Sequence, residues 1–196
     1  MLTKISKIAR FIILLLFFSI GLIYILFRSY PVQTWIIHKA ADYLSDELKT
    51  KVKIGSVNID FFKTAVFENV YIEDQSQDTL FYFRKIKVDF NAYDKVNKKI
   101  TLNRLGLEGG KILFGTHKGD TTNNYNFFID YFDAGPRDTT KPRVIWTVFS
   151  KQVDLINNRF DFFDENSAKP DFMDFNYNDI SFNHIDANLS EFYLID

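Results

Sequence analysis

The chain has 196 residues, a formal net charge of -1 and a pI near 6.3. That balance leaves no basic footprint for a phosphate backbone, so nucleic-acid binding is excluded. The absence of cysteine excludes a disulfide framework, a thiolate metal site and a cysteine nucleophile. Aromatic residues make up 17%, with 22 Phe and 10 Tyr, a composition that fits pleated, half-buried surfaces.

Residues 11–27 (FIILLLFFSIGLIYILF) are apolar apart from Ser19 and Gly21, and Arg10 and Arg28 bracket them. Seventeen residues rising about 1.5 Å each reach the lower edge of a bilayer span, and arginines can snorkel at both ends. A cleaved signal peptide would have a shorter apolar core and a small-residue cleavage site, and Arg28-Ser29-Tyr30-Pro31 offers none. An uncleaved transmembrane helix is therefore expected at 11–27. Lys4, Lys7 and Arg10 precede it, which places residues 1–10 in the cytoplasm and the bulk of the chain on the far side. Tyr30 and Trp35, with both arginines, are the candidate membrane-interface residues.

Pro31 suits a first helical turn. Val32, Trp35, Ile36, Ala40, Tyr43, Leu44 and Leu48 then recur at three- and four-residue steps, predicting an amphipathic helix over 31–49. Its apolar stripe could lie on a membrane surface or cap the open end of a sheet, and the second is the more usual fate.

From residue 51 the period changes to that of strands, and one spacing recurs: apolar, any, apolar, two residues, apolar, any, apolar. Val52, Ile54, Val57 and Ile59 show it. Ile100, Leu102, Leu105 and Leu107 repeat it, as do Ile180, Phe182, Ile185 and Ala187. Looser copies are Ala65, Phe67, Val70, Ile72 and Phe81, Phe83, Ile86, Val88. Chance should give fewer than about one strict match. A three-residue step would throw half a strand onto the wrong face, so a β-bulge is expected at each slip. Gly109-Gly110 and the stretch 115–124 read as turns or loops, and 134–143 (AGPRDTTKPR) as a linker. Thus 51–133 forms a first β segment and 144–196 a continuing one. Within the second, strands are expected at 144–148, 152–155, 159–163 and 180–194, with the chain ending inside a strand as if truncated.

The fold class expected is mainly β with one transmembrane and one amphipathic helix, the sheet being either a curved, bulged, open groove or a closed β-sandwich. Periodicity alone leaves those two open. His38, His117 and His184 are scattered, without a second ligand at metal-site spacing. Asp161, Asp164, Glu165, Asp171 and Asp174 lack the central glycine of a calcium loop and read as a solvated turn. No nucleophile elbow, Walker A or dinucleotide fingerprint occurs, so neither an enzyme, a metal nor a cofactor is expected.

Taken in order, the 11–27 anchor, "PVQTWIIHKAADYLSDELKTKVKIGSVNIDFF", "VFENVYIEDQSQDTLFYFRKIKVDFN" and "KKITLNRLGLEGGKILF" resemble the N-terminal region of the AsmA/TamB group of Gram-negative envelope proteins. The likeness is one of apolar spacing plus Gly55, Asp74 and Gly109. It implies an inner-membrane protein whose periplasmic part is the root of a hydrophobic β-groove carrying phospholipid to the outer membrane. Its partners would be the inner-membrane bilayer, phospholipid acyl chains and an outer-membrane assembly barrel. Under that reading Val57, Ile59, Ile86, Val88, Phe90, Ile100, Leu102, Leu105 and Leu107 line the groove. The alternative it implies is an assembly factor that binds outer-membrane-protein or autotransporter clients by strand addition.

Overall fold

A computed structural model describes residues 12, 14–19, 21, 25, 29–60, 63–133, 147–168 and 175–195. Among them no helix is long and apolar enough to cross a membrane. The longest described run within 11–27 is 14–19, which is helical and exposed. The described residues therefore do not support the expected transmembrane helix, eight of whose seventeen residues lie outside them. Arg10, Arg28 and the expected linker 134–143 lie outside them as well.

Helix α1 (Tyr30–Leu48) opens on Pro31 and ends at Lys49, whose left-handed φ of 54° lets its N–H reach the Ser45 carbonyl. A single six-stranded sheet follows: β1 (Val52–Asp60), β2 (Thr64–Glu73), β3 (Thr79–Asp94), β4 (Lys99–Thr116), β5 (Thr147–Asp164) and β6 (Asp179–Ile195). Helix α2 (Asn126–Asp133) lies between β4 and β5. Spatial order equals chain order, every neighbouring pair is antiparallel except β4 and β5, and the sheet is open, with β1 and β6 as its edges. The closed sandwich is not adopted.

The expected bulge is present at two of the slips, where β4 carries an extra residue between Leu102 and Leu105 against β3 and β6 carries one between Phe182 and Ile185 against β5, whereas the slips of β1, β2 and β3 take a different form. Ile54 pairs with Val70 and Ser56 with Glu68, so the β1–β2 register runs unbroken past Gly55 and Asn69. It is equally unbroken between β2 and β3 at Arg84, and between β3 and β4 at Gly109. No strand there carries an extra residue against its neighbour. Instead the strands break their alternation in one line across the sheet, with left-handed φ at Asn69 (52°), Gly109 (60°), Asn157 (51°) and His184 (53°). Gly109, expected in a turn, is thus inside β4. A second line crosses at Phe90–Asn91, Asn103–Arg104, Lys151 and Glu191 (φ 54°), and here the β3–β4 ladder does shift register. The strands expected at 144–148, 152–155 and 159–163 become the single strand β5, because the residues between them are these kinks.

Few side chains are fully enclosed. Ala41 and Leu48 of α1 pack on Val52, with Leu44, Ile54, Ile72 and the α2 residues Phe127, Phe128 and Tyr131 around them. Edge-to-face aromatic contacts of Phe81 with Phe114 (5.7 Å) and Phe128 (5.8 Å) extend this cluster.

Candidate functional site

Directly paired residues share a face of the sheet. Val57, Phe67, Ile86, Leu107, Leu155 and Ala187 form one row across all six strands. Ile59, Ala65, Val88, Leu105, Val153 and Leu189 form the next. Beyond the second kink line Phe90 pairs with Leu102, and Ile100 with Tyr93 and Val148. All nine residues expected to line a groove therefore fall on one apolar face. Val57 and Leu102 are buried, while Ile59, Ile86, Val88, Phe90, Ile100, Leu105 and Leu107 are half-buried. Helices α1 and α2 cover the end of this face near Val52 and Phe81. Among the described residues, no second sheet packs on the rows below.

The opposite face is polar and cross-linked by charge. Arg104 meets Asp154 at 2.9 Å, Lys51 meets Glu73 at 2.9 Å and Lys85 reaches Glu108 at 3.5 Å. Arg84 also hydrogen-bonds Glu108, and this contact holds the Glu108 carboxyl below its ordinary pKa.

The edge at β1 is occupied by side chains of α1. Gln33 donates to the Ile59 carbonyl (3.1 Å) and accepts from its N–H (2.8 Å). Ser45 does the same for Val52, at 3.1 and 2.8 Å, and His38 Nε2 lies 3.0 Å from the Gly55 carbonyl. Only part of the expected apolar stripe is buried: Leu44 and Leu48 pack inward with Gln33 and Ala41, while Trp35 and Tyr43 are about 60% exposed. Free strand-edge groups require donors and acceptors, which outweighs burying the aromatic rings. Tyr30 and Trp35, the described interface candidates, lie exposed on the opening turns of α1. A cleft of about 900 Å³ beside the helix is lined by His38, Asp42, Lys53, Tyr71 and Tyr82, among others.

At the covered end Asp74, 1% exposed, is a polar node. Its Oδ1 accepts from the Ser76 and Asp78 N–H groups (both 2.9 Å), and its Oδ2 contacts Asn124 Nδ2 (3.1 Å) and His117 Nε2 (2.8 Å). Burial acts to lower the His117 pKa, but the hydrogen bond and charge of Asp74, with Asp78 and Glu165 behind it, raise it overall. Asn158, also buried, bridges the kink between β4 and β5: it accepts from Gly110 N (2.7 Å) and donates to the Leu107 carbonyl (2.9 Å). Asp74 enters the sequence reading through the family likeness alone, and Asn158 not at all. The spacing Asp74-x-Ser76-x-Asp78 is an Asx-turn signal that would have found the first.

Among the described residues no group of three or more His, Asp or Glu could hold a metal ion. Of the acidic cluster, Asp161 binds Arg159 and Asp164 hydrogen-bonds Ser167 and Asn166, while Asp171 and Asp174 lie outside the described residues. His184 Nδ1 lies 3.0 Å from Asn157 Oδ1. Neither a family model, nor a curated protein, nor a solved structure matches this chain.

Proposed function

We propose that this chain is an envelope protein of AsmA/TamB type, anchored in the inner membrane by residues 11–27, whose kinked sheet curves into the root of a groove that shields phospholipid acyl chains. It acts as a conduit or shield and not as an enzyme. One observation carries the reading: two full rows of Val, Ile, Leu, Phe and Ala cross an open sheet, largely half-buried, with no described second layer upon them.

Hydrocarbon in water costs about 0.8 kcal/mol per CH₂, so a sixteen-carbon chain left unshielded costs about 12 kcal/mol. A greasy face open along one side removes that penalty while the headgroup stays hydrated. The exposed Tyr30, Trp35, Ile36 and Tyr43 of α1 would rest at the headgroup level, just beyond the anchor.

A photo-crosslinking residue at Ile86 or Leu107 should capture phospholipid in cells, whereas the same residue at Lys87 or Glu108 on the polar face should not. Equal capture from both faces, or none from the apolar one, would end this reading. The runner-up is binding of outer-membrane-protein clients by strand addition, for which β6 is the candidate, since among the described residues it pairs on one side only. It predicts protein adducts from β6 in place of lipid adducts from the face.

A further inference from the structure

We propose that the turn between β3 and β4, with Lys63 beside it, docks on an anionic lipid surface, that of the bilayer which residues 11–27 enter. This rests on the reading of 11–27 as an anchor.

The two ends of the sheet differ in charge. At one end the described connecting residues are Lys63, between β1 and β2, and 95–98 (KVNK), between β3 and β4. The charged ones, Lys63, Lys95 and Lys98, are all basic. At the other end Lys49, Lys51, Lys118 and His117 are outnumbered by acids that include Asp74, Asp78, Asp120, Asp164 and Glu165. A negatively charged surface therefore attracts the first end and repels the second.

The basic end is also where the chain enters. Gln33, in the first turn of α1, binds the Ile59 backbone, whereas Ser45 binds Val52 at the far end of β1. Tyr30, the first residue of the helix, thus stands only about 5 Å beyond the level of Ile59. The β3–β4 hairpin reaches farther. Asp89 pairs with Thr64 at the start of β2, and β3 continues from there to Asp94. At about 3.3 Å per residue the turn lies about 16 Å past that level. A bilayer that receives the chain just before Tyr30 is met by this turn as well.

The turn suits such a surface. Val96 at its tip is 89% exposed, and Tyr93, paired with Ile100 at the end of the apolar face, is 55% exposed. The carboxylate of Asp94 is engaged within the turn. Its Oδ1 accepts from the Val96 and Asn97 N–H groups (both 3.0 Å), and its Oδ2 accepts from Asn97 Nδ2 (2.7 Å). Lys95 and Lys63 are exposed. An apolar tip between long cationic side chains can sink into the headgroup layer while the ammonium groups meet phosphate.

The chain has no cysteine, so Val96→Cys and Ser76→Cys each place one fluorophore, at the basic and acidic ends respectively. Each labelled full-length chain is reconstituted in phosphatidylcholine vesicles, with or without phosphatidylglycerol, containing a lipid with a nitroxide headgroup as quencher. With phosphatidylglycerol the Val96→Cys label should be quenched several-fold more than the Ser76→Cys label, and high salt should reduce the difference. Each lysine at the surface contributes about fivefold, so Lys63→Gln with Lys95→Gln should weaken docking about 25-fold, whereas arginine at both positions should preserve it. Equal quenching of the two labels overturns the proposal, as does quenching at Val96→Cys that is indifferent to phosphatidylglycerol, salt and both lysines. Alkaline extraction of the same vesicles reports on the anchor separately. A chain that is extracted but whose Val96→Cys label was quenched at neutral pH strikes the anchor and keeps the docking. A retained chain with an unquenched label strikes the docking alone.

Discussion

Replacing Asp74 by Asn preserves shape and removes one charge, which makes it a sharp probe of the polar node. The amide oxygen of the Asp74→Asn variant can still accept from the Ser76 and Asp78 N–H groups. Its new NH₂ group, however, faces the amide of Asn124, and Asn124 cannot turn over: its Oδ1 accepts from Gly115 N at 3.0 Å while its Nδ2 donates to the Leu113 carbonyl at 3.0 Å. Two donors then oppose each other in a buried site, at about 1–3 kcal/mol. His117 can present a bare Nε2 to the new amide by changing tautomer, but the charge-assisted bond is lost, adding about 1 kcal/mol. The sum, about 2–4 kcal/mol, should lower the melting temperature of the full chain in detergent by about 5–12 °C. Circular dichroism measures this. The His117 pKa, followed by NMR, should fall at the same time, because the group that raises it is gone. An unchanged melting temperature together with an unmoved His117 titration would refute this account of the node.

The raised His117 pKa has a definite sign for stability: its contribution is complete below the unfolded value near 6.5 and is lost as pH rises through the folded value. The stability difference between wild type and His117→Gln should therefore shrink from pH 6 upward in denaturant titrations, and a flat difference would contradict it. Gly109→Ala should cost about 1–2 kcal/mol, since φ is +60° and the new Cβ would sit 3.1 Å from Arg84 Cβ, whereas Gly109→Asn should cost less. Gly110→Ala should cost about 1–3 kcal/mol or more, because its Cβ would lie 2.4 Å from the Phe83 ring. Equal melting temperatures for Gly109→Ala and Gly109→Asn would show that backbone strain is not the cause. Gln33→Ala with Ser45→Ala should bare the β1 edge and produce concentration-dependent association in light scattering, which an unaffected chain would disprove.

Much of the sheet is legible because each strand repeats its own apolar spacing. Val52-x-Ile54 and Val57-x-Ile59 can face one side only if the alternation breaks between them, and it breaks at Gly55. What a single strand cannot disclose is that its neighbours break at the same height, so a coordinated kink reads as a private bulge. The same limit makes Gly109-Gly110 read as a turn and divides β5 into three. The parallel pairing of β4 with β5 depends on a connection that returns the full strand length, which no local period encodes. Helix α2 escapes a sequence reading because three Phe and one Tyr in eight residues imitate a strand. The outward turn of Trp35 and Tyr43 on α1 escapes it because amphipathic reasoning assumes a helix packs on side chains throughout, and this one packs on side chains at its C-terminal end and engages the backbone of β1 through Gln33, His38 and Ser45.

The kink lines also bear on whether the apolar face is a by-product of folding. Without them, a strand of the length of β4 would send Leu105 and Leu107 to the polar side, where Lys87 and Asp154 lie, and each face would be a mixture. Such a sheet could still fold, with α1 and α2 covering one end. Instead, breaks at matching heights keep Val, Ile, Leu and Phe together along the described length of the sheet. Four non-glycine residues, Asn69, Asn157, His184 and Glu191, hold left-handed backbone to achieve this, at a cost of about 1 kcal/mol each, less for asparagine. A contiguous apolar surface that no described element covers is a liability in a monomer. Strain spent in maintaining one is therefore better explained by an occupant than by the stability of the sheet itself.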